Sequence, residues 1–189
     1  MIYIIGGEAR SGKTILRKKL LNEYKISGIG TDSIRYMLSN TLEDSGIDHN
    51  NPPEINGPLM WPYISNLVED LIKYASEDFV IEGDILLPEY LKEYKDNPNV
   101  STCYIGYSSI SISQKIENIL NSRKGGDWTS EYTEKELKKF VKWSIKESKK
   151  YQRECKKFGI QYYDLSENFK EGIDKILEDL CAYNRKWDK

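Results

Sequence analysis

Histidine is nearly absent from this sequence, His49 being the single one in 189 residues. Zinc sites built on imidazole and Ser-His-Asp triads therefore have little to build on. His49 itself, beside Asn50 and Asn51 in a polar stretch, is expected to be solvated. Cysteine is scarce and scattered: Cys103, Cys155 and Cys181 are odd in number and form no C-x-x-C pair. That pattern argues for a reducing compartment and against disulfide or metal roles. No apolar run approaches the ~20 residues of a membrane span, and the first strand pattern starts directly at the N-terminus. A cytoplasmic location without a membrane partner is expected. Nor is there an excess of charge of one sign, since 28 Lys and Arg face 30 Asp and Glu for a net charge of -2. Nothing here provides the electrostatic footprint that nonspecific nucleic-acid binding requires.

What the sequence does contain is concentrated at its start. Gly7-Glu8-Ala9-Arg10-Ser11-Gly12-Lys13-Thr14 satisfies the phosphate-binding pattern G-x-x-x-x-G-K-[ST] at every fixed position. The apolar run Ile2-Tyr3-Ile4-Ile5 precedes it as a buried strand, and Ile15 to Leu21 follows with helical spacing. Strand, glycine loop and helix together let backbone N–H groups curl around phosphate oxygens at a helix N-terminus. Lys13 would reach the β- and γ-phosphates, and the Thr14 hydroxyl would ligate Mg²⁺.

Further strand patterns are Ile26–Gly30, Phe79–Ile81, Val100–Tyr107 and Ile160–Asp164. Helical patterns separate them, carried by Ile64, Leu67, Val68, Leu71 and Ala75, then by Ile112, Ile116, Ile119 and Leu120. Thr133-Glu134-Lys135-Glu136 has the form of a capping box and opens the longest helix, which should end before Gly159. Its lysines read as a solvated face. Ile173, Ile176, Leu177 and Leu180 mark a last amphipathic helix. The alternation predicts an α/β fold with a parallel sheet covered on both sides, in one domain spanning 1–189 without repeats. Two stretches look irregular and read as binding loop and lid: 39–62, rich in proline, and 122–132 around Gly125-Gly126-Asp127-Trp128. Trp61 and Trp128 lie in them, as substrate wall or as packing.

The D-x-x-G and N-K-x-D motifs of GTPases, the short glycine-rich ABC signature, and the His-Arg-Asp and Asp-Phe-Gly signatures of protein kinases do not occur. The chain resembles the P-loop small-molecule kinases with the nucleoside-monophosphate-kinase-like fold, a group that includes shikimate, gluconate, chloramphenicol and zeta-toxin-type kinases. It looks most like predicted kinases of the 2-phosphoglycerate kinase type. The phosphate loop carries the resemblance most specifically. Thr31-Asp32-Ser33-Ile34-Arg35 is similar to the segment after the second strand, where an Asp commonly contacts the acceptor hydroxyl or Mg²⁺. Val80-Ile81-Glu82-Gly83-Asp84-Ile85-Leu86-Leu87-Pro88 looks like the third-strand motif, but it lacks the Arg that follows Pro in nucleoside monophosphate kinases. The resemblance implies a three-layer α/β/α fold with a five-stranded parallel sheet in the order 2-3-1-4-5 and a small lid. It also implies ATP and Mg²⁺, a base site near Leu165-Ser166-Glu167-Asn168-Phe169, and a lid arginine, here Arg123, on the transferred phosphoryl group.

Phosphoryl transfer rests on positioning and charge neutralisation, so a carboxylate opposite Lys13 can orient an attacking hydroxyl. Asp32 is the candidate, its alternative being a helix N-cap. Glu82 would assist Mg²⁺ through water, with Asp84 as a second choice. Arg10 and Arg35 could grip anionic groups, and the alternative for Arg123 is a helix-end cation. The expected activity is phosphorylation of a hydroxyl on a small metabolite, 2-phosphoglycerate-like or other. A nucleoside or nucleoside monophosphate kinase is the enzymatic alternative, and a nucleotide-binding regulatory or toxin-like protein the non-catalytic one.

Overall fold

The computed structural model describes residues 1–182, so the last residues of the expected single domain, 183–189, lie outside the described part. Five parallel strands form one sheet: β1 (Ile2–Gly7), β2 (Ser27–Gly30), β3 (Phe79–Gly83), β4 (Val100–Gly106) and β5 (Gln161–Asp164), in the order β2-β3-β1-β4-β5. β1 is central and buried throughout, as a strand covered on both faces must be. Its side chains alternate between two cores. Ile2 and Ile4 join one with α2 (Thr31–Thr41), α3 (Pro53–Tyr74), α4 (Pro88–Leu91) and α6 (Glu134–Phe158). Tyr3 and Ile5 join the other with α1 (Lys13–Tyr24) and α7 (Phe169–Ala182). A third cluster, Tyr107, Ile110, Ile119, Leu137, Val141 and Ile145, packs α5 (Ile112–Ser122) on α6 beyond the sheet.

α6 begins as the sequence dictates. The Thr133 side chain accepts the Glu136 N–H, and the Glu136 carboxylate accepts the Thr133 N–H at 2.8 Å, which satisfies two donors that a helix start leaves open. It ends at Gly159, whose φ of 72° is the left-handed conformation that glycine adopts without strain. Cys103, Cys155 and Cys181 are all buried and none is in a disulfide.

The stretch expected to be irregular is half helix. α3 starts at Pro53 and runs through Pro58 and Pro62. Those two prolines stand four apart on the exposed face, where their missing N–H groups and their rings disturb least. The Pro62 carbonyl is taken by Asn66 Nδ2 at 2.7 Å and Ser65 Oγ at 3.2 Å. On the inward face Trp61 stacks on Tyr90 with ring centroids 4.6 Å apart, so packing against α4 outweighs local propensity. The remaining loop is pinned by the fully buried Asn56, whose Nδ2 donates to the carbonyls of Asp48 at 2.7 Å and Asn51 at 3.2 Å. Among the described residues no helix is long and apolar enough to cross a membrane.

Candidate active site

Sheet register brings the site residues together. Ile5 pairs with Glu82 and Gly30 with Glu82, so the carboxyl ends of β1, β3 and β2 finish side by side. The phosphate loop, Glu82 to Asp84 and the start of α2 therefore share one edge, where parallel α/β sheets bind ligands. A cavity of about 1050 Å³ opens there, ample for a nucleotide and a second small molecule.

Its floor is the loop from Gly7 to Thr14. Gly12 has a φ of 105°, and a Cβ on it would come within 2.7 Å of the Phe169 ring, so only glycine serves. Lys13 is buried and its ammonium donates to the carbonyls of Gly7 and Glu8, both at 2.8 Å. The Thr14 hydroxyl donates to Glu82 Oε1 at 3.1 Å, and Arg17 Nε reaches the same oxygen at 3.2 Å. The two expected metal ligands thus touch. A hydroxyl and a carboxylate suit Mg²⁺, which takes few protein ligands and completes its shell with phosphate and water.

Asp32 lies in the first turn of α2 and lines the cavity, with its side chain 78% exposed. The helix is capped by Gly30 without any side-chain bond, so Asp32 does not act as the N-cap. It accepts a hydrogen bond from Arg35 Nη2. Arg35 Nη1 stands 3.7 Å from Asp84 Oδ1, which makes this guanidinium the link between two carboxylates.

The two arginines make different contacts. Arg10 lines the cavity with a φ of 61° and ties the phosphate loop to Asp127 and to the end of α5, at Ser122 Oγ at 2.8 Å and the Ile119 carbonyl at 3.3 Å. Arg123 donates to Thr129 Oγ1 at 3.2 Å and to the Thr129 carbonyl at 2.5 Å, and is not among the residues lining the cavity. Trp128 and His49 border the cavity, whereas Trp61 belongs to the α3–α4 contact. Leu165 to Lys170 form the wall expected to face the base. Asp164 braces that wall by accepting from the hydroxyls of Ser108 at 2.6 Å and Ser109 at 2.7 Å, bonds that outweigh its burial and hold its carboxyl below the usual range.

Lys115 on α5 is a cavity residue that the sequence reading passed over. It is buried, donates to the Arg10 carbonyl at 3.0 Å and sits 3.2 Å from the Tyr107 ring centroid. Burial pulls its ammonium down to about 7. The signal was a lone charge on an apolar face, three residues after Ile112 and four before Ile119. Glu8, an unspecified position of the motif, is 4% exposed, and burial pushes its carboxyl up to about 7.

A scan against protein-family models finds no match, and neither does a search of curated proteins. Solved structures do match along the whole chain. A shikimate kinase from Bacteroides thetaiotaomicron aligns with a TM-score of 0.56 at 12% identity, over 96% of this chain and 98% of that one. A shikimate kinase from Acinetobacter baumannii in complex with shikimate gives 0.53 at 13%, over 100% and 94%. A gluconokinase from Sinorhizobium meliloti gives 0.51 at 15%, over 94% of each. At such identities the likeness establishes the fold, a five-stranded parallel P-loop architecture shared with small-molecule kinases.

Proposed function

We propose that this protein is an ATP- and Mg²⁺-dependent kinase that transfers the γ-phosphoryl group to a hydroxyl of a small metabolite. The observation that carries this reading is the convergence of Lys13 and Thr14 from α1, Glu82 from β3 and Asp32 from α2 on one cavity. In this scheme the triphosphate lies along the loop amides, and Lys13 exchanges the Gly7 and Glu8 carbonyls for β- and γ-phosphate oxygens. Mg²⁺ held by Thr14 and Glu82 would neutralise charge between those phosphates. Asp32 accepts the proton of the acceptor hydroxyl as its oxygen bonds to the γ-phosphorus. The bond from that phosphorus to the β,γ-bridging oxygen breaks, and ADP departs with the electron pair. Arg10 and Lys115 add positive charge at the donor side. Arg123 enters the scheme only by leaving Thr129 and turning inward.

The kinase neighbours support the reaction class, and the near-neutral charge gives no footprint for a nucleic-acid acceptor. Phosphorylation of a nucleoside monophosphate is disfavoured because Leu86 and Leu87 precede Pro88 as core residues and no Arg follows it. The test is ADP formation from Mg·ATP across hydroxylated acceptors, including glycerates, sugars, nucleosides and nucleotides. Acceptor-dependent turnover that falls about a thousandfold or more in Lys13→Ala is expected. ATP binding without turnover on any acceptor would replace the kinase by a nucleotide-dependent regulator.

A further inference from the structure

Three buried cations line the cavity: Lys13, Arg35 and Lys115. Arg35 has two carboxylates beside it, Asp32 and Asp84. Among the described residues the other two form no salt bridge and rest on backbone carbonyls of a single loop, Lys13 on Gly7 and Glu8 and Lys115 on Arg10 at 3.0 Å. A carbonyl carries only a partial charge, so an ammonium shut away from water with no other acceptor is held at a cost. For Lys13 the phosphate-loop pattern names the missing counter-ion, the outer phosphates of a nucleotide. Lys115 shares its burial, its loop and its lack of a carboxylate, although it comes from α5 and belongs to no motif.

Tyr107 holds Lys115 in place. Its hydroxyl donates to the Ala9 carbonyl at 2.8 Å, which fixes the ring against the loop, and the Lys115 ammonium lies 3.2 Å from the ring centroid. An aromatic face attracts a cation without supplying a counter-charge. The charged and titratable groups facing Lys115 are Glu8 and Arg10 from the loop, Lys13 from α1 and Tyr107 from the segment after β4. α6 adds the apolar Leu137, Val141 and Ile145. Of these neighbours Glu8 alone is a carboxylate, and burial, which pushes it up to about 7, leaves it a partial charge at neutral pH.

We propose that Lys115 is a second phosphate-binding cation of this site, which leaves the Arg10 carbonyl for an outer phosphate oxygen when a nucleotide fills the loop. A tether that only fastened the loop to α5 would stabilise the empty protein. A cation waiting for a phosphate weighs on the empty protein and strengthens the filled one. The role carries a consequence for pH. Burial pulls the free ammonium down to about 7, so above neutrality it has given up its proton, and the arriving phosphates restore it. Nucleotide binding therefore takes up a proton at pH 8, and little at pH 6, where the ammonium is already charged. This role rests on the nucleotide half of the reading above and is independent of the acceptor.

Calorimetric titration of the full chain with Mg²⁺ and the slowly hydrolysed ATPγS reads affinity, and repeated in two buffers of different ionisation enthalpy it reads proton uptake. At pH 6 Lys115→Met, which keeps the apolar stem and removes the charge, should bind about tenfold or more weaker than the wild type. At pH 8 the wild type should take up a proton that Lys115→Met does not. Glu8→Gln, which silences the neighbouring carboxyl, should keep that uptake. The ligand-free Lys115→Met protein should melt no lower than the wild type at pH 6. Unchanged affinity in Lys115→Met, uptake that persists in it or is lost in Glu8→Gln instead, or a melting temperature lower by several degrees overturns the proposal. Failure of the wild type to bind the nucleotide overturns both this role and the reading above. The expected binding without turnover on any acceptor upholds Lys115 and removes the kinase reading.

Discussion

At the scale of single residues, the proposed reaction assigns the donor to the phosphate loop and the acceptor to the side of Asp32 and Arg35. Asp32→Asn keeps the shape and the bond to Arg35 but cannot take a proton, so kcat should fall by about 10²–10⁴ while ATP affinity changes no more than a few-fold. A change confined to melting temperature would make Asp32 a first-turn carboxylate that serves the helix dipole. Glu82→Gln should raise the Mg²⁺ concentration needed for half-maximal rate about tenfold or more, read from a metal titration at fixed ATP, because the Thr14 hydroxyl loses its charged neighbour. The phosphate loop was legible in the sequence since its chemistry demands particular residues at particular positions. Glu8 and Arg10 were legible only as members of the loop. Their distinct surroundings, burial beside Ser148 for Glu8 and contacts to Ile119 and Ser122 for Arg10, come from α6 and α5 arriving over the loop from more than a hundred residues away, which no local pattern encodes.

At the scale of elements, α6 and α3 show the two ways in which a helix is specified. α6 carries its boundaries in its own side chains, so Thr133→Ala should cost about 1 kcal/mol and lower the melting temperature by about 2–4 °C for a chain of this size. Calorimetric melting of the variant checks it. That helix was readable to within a residue at each end for the same reason. α3 was not readable across its first ten residues. Pro58 and Pro62 are local signals against a helix, and what outweighs them, Trp61 on Tyr90, is a contact between residues distant in sequence. The 122–132 stretch likewise reveals its glycines in sequence but not its anchorage. Arg10 holds Asp127 and Arg123 holds Thr129, contacts that sequence position alone does not suggest.

At the scale of the molecule, the alternation of strands and helices predicted the parallel sheet, whereas its order came from resemblance, because alternation does not say which strands are neighbours. The assembled fold buries two titratable groups together beneath the phosphate loop. Glu8, raised to about 7, holds its proton more tightly folded than unfolded, so its contribution to stability falls as pH rises from 4.5 to about 7. Lys115, lowered to about 7, releases a proton that the unfolded chain keeps, so its contribution recovers as pH rises from about 7 to 10.5. The groups facing Glu8, namely Ser148 from α6, Lys13 from α1 and Lys115 from α5, soften this without reversing it. Both groups therefore weigh on the fold near neutral pH. Glu8→Gln should stabilise the ligand-free protein at pH 8 by about 1–3 kcal/mol and move its melting temperature far less at pH 5. Equal shifts at the two values would mean that Glu8 does not titrate there.

The burial of all three thiols has a practical corollary. Burial pushes Cys103 up to about 12 and Cys155 upward as well, so thiol-seeking dyes meet no accessible thiolate in the native fold. Gly125, in the 122–132 stretch, has nothing within 4 Å of where a Cβ would be. Gly125→Cys would thus carry a fluorophore on an otherwise silent background, and the protein would report whether that stretch changes its surroundings when a nucleotide is added.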